Sequence, residues 1–149
     1  MKRFRFTLQA VLTVRDRQEQ AAREQYAQAV ARQHDARDRL RVAEREVAAA
    51  ADRQREQTQA GAVAAELRAA VAYVRAAEER RQQCAGELAA ADQRVRRELE
   101  AWLAARQKRE AVERLRQRQW QRYRGAVAAQ EQKELDELAT QRSAAQEAA

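Results

Sequence analysis

The sequence predicts an all-α fold, a long antiparallel two-helix coiled-coil hairpin with an overhanging second helix. Three observations carry this expectation. The 149 residues include no proline and three glycines, so almost nothing in the chain interrupts a helix. Charged residues make up 36% and aromatics 5%, and most of the 45% counted as hydrophobic is alanine, which buries too little area for a thick core. Finally, apolar positions recur in alternating steps of four and three with Arg, Glu, Asp and Gln between them, which is the seam of a coiled coil rather than the face of a globular helix.

The first helix is expected over about 7–59. Thr7 can cap it by accepting a bond from a free amide, with Phe6 and Val11 at the two staple positions. From Leu8 the stepping picks out Leu8, Leu12, Arg15, Glu19, Ala22, Tyr26, Ala29, Gln33, Ala36, Leu40, Ala43, Val47, Ala50 and Gln54. Ten of these fourteen are apolar, enough for one narrow stripe on a helix of roughly 75 to 80 Å.

A turn at about 60–63 follows, where Gln57-Thr58-Gln59-Ala60-Gly61-Ala62 brings a glycine, a threonine and uncharged polar residues together. The second helix is expected over about 64–141, with a frayed tail at 142–149 and the whole of 1–149 forming a single coiled-coil domain. Its stripe runs through Val71, Val74, Glu78, Arg81, Ala85, Leu88, Asp92, Val95, Leu99 and Trp102, and resumes at Trp120, Tyr123 and Val127. Val112 and Leu115 stand one residue out of phase, a local stutter. Two helices pairing between chains would also fit a stripe on each helix, but the short Gly-containing connection favours a hairpin.

Folding at Gly61 sets residue i opposite about 122 minus i. Tyr26 then meets Val95, Val47 meets Val74, Leu8 and Leu12 meet the Val112–Leu115 region, and Phe4 and Phe6 approach Trp120. Residues beyond about 121 have no partner helix in this scheme, which leaves Tyr123, Val127, Leu135 and Leu138 on one uncovered face. A seam in which alanine dominates forgoes burial relative to leucine, at about 2 to 5 kcal/mol per Leu-to-Ala step, so the hairpin should be marginal.

Net charge is +7 and unevenly spread. Residues 94–124 carry Arg94, Arg96, Arg97, Arg106, Lys108, Arg109, Arg114, Arg116, Arg118, Arg122 and Arg124 against four acids, whereas Glu131, Glu134, Asp136, Glu137 and Glu147 leave the last stretch acidic. A basic run could neutralise nucleic-acid phosphates, but interspersed acids and few exposed aromatics for stacking argue against nucleic acid as the partner. The stripes are too narrow and alanine-rich for a membrane-surface helix. A homodimeric structural spacer is a further alternative.

Enzyme chemistry has no foothold: there is no glycine-rich phosphate loop and no convergent His/Asp/Ser or Cys/His set. No cofactor is expected. A single histidine, His34, and a single cysteine, Cys84, leave neither a structural zinc site nor an internal disulfide. The start Met1-Lys2-Arg3-FRFTLQAVLTV superficially resembles a signal peptide, but Arg5 and Gln9 interrupt its apolar run and no small-residue cleavage site follows. With no apolar run near 18 residues, no membrane insertion is expected and the chain reads as cytoplasmic.

The opening FRFTLQAVLTVRDRQEQAA, the alanine-rich first helix, Tyr73 soon after the hinge, the L-x-x-W element at Leu99 to Trp102 and the tail QEQKELDELATQRSA together resemble the FliJ family of the flagellar type III export apparatus. The resemblance spans nearly the whole chain. It implies a non-enzymatic coiled coil resembling the central stalk of rotary ATPases, associated with the flagellar basal body at the inner membrane. Its implied partners are the hexameric flagellar export ATPase, the cytoplasmic domain of the membrane export gate, and export chaperones. Carried onto this sequence, the ATPase-ring contact comprises Phe4, Phe6, Leu8, Val11, Leu12, Trp120, Tyr123, Leu135, Asp136, Glu137 and Leu138. The export-gate contact lies early in the second helix at Tyr73, with Ala77 and Cys84 expected on the same outward side.

Overall fold

The computed structural model describes residues 3–148, so the Met1-Lys2 start and Ala149 of the expected tail lie outside the described residues. Two helices account for nearly all of it: α1, Gln9–Gln59, and α2, Ala64–Glu147, packed against each other as a hairpin. Low helix-breaking content explains their length, and α2 continues past the expected end near 141. Nothing from Ser143 to Glu147 is Gly or Pro, and the Ala148 amide still donates to the Ala144 carbonyl at 3.1 Å. At the other end the first helical bond runs from the Leu12 amide to the Leu8 carbonyl, which puts Leu8, not Thr7, at the N-cap position. The Phe6 carbonyl takes the Gln9 amide at 3.3 Å, so the chain enters α1 through a turn that displaces the expected cap by one residue.

By contact density the chain falls into two units, residues 20–103 and residues 1–19 with 104–149. In the first, the seam follows the sequence stripe. From Ala22 to Gln54 every residue picked out by the stepping is shielded, and Ala29, Ala36, Ala43 and Ala50 are buried. These alanines stand seven apart. On α2 the spacing recurs at Ala70, Ala77, Cys84 and Ala91, all shielded, with Ala77 0% exposed. A small residue at every seventh position on both helices lets the backbones approach closely, so these alanines are the packing itself and not gaps in a leucine seam. Val71, expected in the stripe, is instead exposed because Ala70 occupies the inward position.

The turn is a Schellman cap. The Ala62 amide donates to the Gln57 carbonyl at 3.1 Å and the Gly61 amide to the Thr58 carbonyl at 3.4 Å, with Gly61 at φ +74°. Only glycine takes that backbone without strain. Gly61→Ala should lower stability by about 1 kcal/mol, read as a shift in urea midpoint at unchanged m-value.

Cross-helix contacts in this unit correct the register. Tyr26 stacks on Trp102 at 5.5 Å, not on Val95, and Gln33 donates to Asp92 at 2.7 Å. Arg39 pairs with Glu87 at 3.4 Å and Arg80 with Glu46 at 3.6 Å. Each partner lies three to six residues further along α2 than folding about Gly61 gives. The cause is side-chain direction. Helical side chains lean toward their own N-terminus, so on antiparallel helices an α1 side chain leans away from the turn and its α2 partner leans toward it. Contact therefore falls about two residues beyond the backbone register, and long side chains add to that.

In the other unit, Leu12 is buried and the Arg109 guanidinium joins α2 to α1, donating to Glu19 with Asp16 at 3.9 Å. The hydrogen bond to Glu19 raises the Arg109 pKa above its ordinary value, against some desolvation. Val112 and Leu115 are both half-buried, which places the phase slip where the stutter was expected. From residue 128 to 148 every position is exposed, and this is the overhang of α2.

Candidate functional site

The unit holding both ends of the chain gathers most of the aromatic residues. Phe4 meets the edge of Trp120 at 5.1 Å with 69° between planes and lies 5.5 Å from Tyr123, while Trp120 and Tyr123, three apart on α2, stack at 5.6 Å. Contact between the N-terminal segment and α2 thus extends to Tyr123, slightly beyond the expected limit of 121. Phe4 and Phe6 are half-buried, and with Gln9, Arg116, Gln117 and Trp120 they line an open cleft of about 410 Å³. Trp120 remains 44% exposed. A half-covered tryptophan at the mouth of a cleft offers a large rigid surface to a partner at little entropic cost.

The other sequence-derived ring residues divide. Leu8 and Val11 are exposed beside this cluster, but Leu12 faces inward and supports the surface from beneath. Leu135, at 61%, and Leu138, at 53%, are exposed on the overhang three residues apart, and Asp136 and Glu137 are exposed between them. The Asp136 carboxylate accepts from the Gln132 amide at 2.9 Å, which holds it along the helix.

The basic run is partly compensated. Glu110 pairs with Arg106 at 2.8 Å and Arg114 at 3.4 Å, Glu113 with Arg116 at 3.5 Å, and Glu98 with Arg94 at 3.6 Å. The Arg106 hydrogen bond holds the Glu110 carboxyl below its ordinary range, opposed by desolvation. Arg96, Arg97, Lys108, Arg118, Arg122 and Arg124 are exposed and lie outside these pairs among the described residues. Sequence inspection alone missed that Arg109 is a cross-helix clamp, and that Gln9, Arg116 and Gln117 share the aromatic cleft. A register corrected for side-chain lean would have brought Arg109 toward Glu19 and Asp16.

The expected gate patch is corrected in part. Tyr73 is 49% exposed and edges a shallow groove with Ala50, Arg53, Gln57, Glu66, Ala69 and Ala70. Ala77, four residues on, is fully buried, and Cys84 is a half-buried member of the same small-residue heptad, so neither shares the outward face of Tyr73. Tyr73 stands three residues after Ala70 and four before Ala77, so it flanks their stripe at its edge, where its long side chain reaches solvent while the small side chains of Ala77 and Cys84 are covered.

Among the described residues no helix is long and apolar enough to cross a membrane. A family model described as "Flagellar FliJ protein" matches residues 4–148 of this chain. No curated protein and no solved structure matches it.

Proposed function

The chain belongs to the FliJ family and is a component of the flagellar export apparatus, and from that premise we propose that it acts as a non-enzymatic stalk which docks on the hexameric export ATPase through its aromatic and basic unit. The observation that carries this reading is the Phe4–Trp120–Tyr123 cluster, left half open near exposed Leu8 and Val11, with Leu135 and Leu138 exposed further along the same helix. Aromatic anchors ringed by Arg and by apolar side chains are the composition of interaction hot spots. The exposed basic groups would meet an acidic or polar collar on the ring. Any effect on ATP hydrolysis then arises by favouring one set of ring states over another.

Tyr73 and its groove are proposed as the contact for the cytoplasmic domain of the export gate, with Ala77 and Cys84 supporting the helix from inside. Export chaperones are proposed as further partners, and the protein as working at the basal body. Replacing both Phe4 and Phe6 with alanine should weaken ATPase binding by about tenfold or more while far-UV circular dichroism stays within a few per cent of the parent. Unchanged binding together with a general loss of helicity would show these phenylalanines to be structural only.

A further inference from the structure

The overhang of α2 has no packing partner among the described residues of its own chain: residues 128–148 are exposed, leucines included. Its sequence is self-complementary about its junction with the packed part of the helix. Glu113, Gln117, Trp120, Arg124 and Val127, then Ala128, Glu131, Leu135, Leu138 and Arg142, form one stripe, stepped by three and four residues on either side of the adjacent pair Val127 and Ala128 and symmetric about that pair. The half before that centre is basic and the half after it acidic.

We propose that a second copy of this chain covers the overhang, the two α2 segments pairing antiparallel about a two-fold axis placed so that, with side-chain lean included, the Val127 and Ala128 side chains of the two copies meet. A two-fold there sets Leu135 of the second copy on Trp120 and Leu138 beside Gln117, so both leucines reach the cleft already open at those residues. The same axis sets Glu131 against Arg124 and Arg142 against Glu113, each pairing made twice. A parallel pair would stack acid on acid and base on base, so charge selects the antiparallel arrangement. Only two leucines and a tryptophan per copy are apolar anchors, so the association is weak and reversible, in the range of roughly 1 to 100 µM.

The pairing covers Trp120, Leu135 and Leu138, three residues of the surface assigned above to the ATPase. Ring and second copy therefore exclude one another, and the pair is a resting form that the ring dissolves. The pairing itself does not rest on the ring assignment, because it is tested on the isolated chain.

The test is sedimentation equilibrium of the full chain from roughly 1 to 200 µM at about 0.1 M salt. The wild type is expected to pass from monomer to dimer across this range. Arg124→Glu and Glu131→Arg, both on the paired stripe, should each weaken association by about tenfold or more, and the chain carrying both should recover most of the loss, because the exchanged charges meet again across the two-fold. Both sites are exposed, so helicity should be unchanged in all three variants. A wild type that stays monomeric throughout overturns the proposal and leaves the overhang to another partner. Failure of the double variant to recover overturns the antiparallel pairing in the same way.

Discussion

Trp102→Ala should be among the most destabilising single substitutions in the chain, costing about 2 to 4 kcal/mol, whereas Trp102→Phe should be close to neutral. Trp102 stacks on Tyr26 at 5.5 Å with 28° between the planes, and its Nε1–H is buried without an acceptor among the described residues. Truncation to alanine removes a large aromatic contact from a seam rich in alanine, and leaves Tyr26 facing a void. Phenylalanine retains a ring for Tyr26 and deletes the donor. A buried donor without a partner costs about 1 to 3 kcal/mol, which offsets much of the smaller ring's lost area. Urea unfolding followed by circular dichroism reads both effects. A phenylalanine variant as unstable as the alanine variant would mean that Nε1 has a bonding role after all.

Ala77→Leu is expected to lower stability by about 1 to 3 kcal/mol, although leucine is more hydrophobic and nearly as good a helix former. Ala77 is 0% exposed and belongs to the α2 heptad of small residues, in the same unit as the buried Ala29, Ala36, Ala43 and Ala50 of α1. An isobutyl group there must push the helices apart, which loosens the cross-helix pairs Arg39–Glu87 and Arg80–Glu46. Ala72→Leu, on the exposed side of the same helix, is the control and should lie within about 0.5 kcal/mol of the parent. Equal midpoints for the two variants would show that the alanine stripe is loosely packed. A leucine seam is usually the stable choice, but here the close approach has already been set by its alanines.

This contrast shows what the sequence made legible. Two helices, the glycine turn, the first seam and the stutter at Val112 and Leu115 all followed from four-and-three stepping and from Gly61, because helix length and seam position are local properties. Register was not local. Placing Tyr26 on Trp102 instead of Val95 required the lean of side chains on both helices, which a fold-back about the turn ignores. On α2, tracking large apolar residues hid the heptad of small ones that the stepping had found on α1, so Ala77 and Cys84 looked like surface when they line the helix contact.

The candidate site was legible in the same uneven way. Phe4 and Phe6 were expected near Trp120 and share a cleft with it, since extended N-terminal residues beside an aromatic on the returning helix have little else to cover them. Leu12 could not be separated from Leu8 and Val11 by composition; only the seam phase, once paired, turns one inward and two outward. The roles of Leu135 through Leu138 depend on a partner, and their exposure is what the chain alone provides.

The central claim is that the aromatic unit docks on the export ATPase. Its most direct test is a titration of the hexameric flagellar ATPase with the full chain, following bound protein and the rate of ATP hydrolysis together. Saturable binding with a change in hydrolysis rate over the same concentrations is expected, both weakened by about tenfold or more in Trp120→Ala. Absence of binding to the assembled hexamer, or binding that Trp120→Ala leaves unchanged, would contradict that claim.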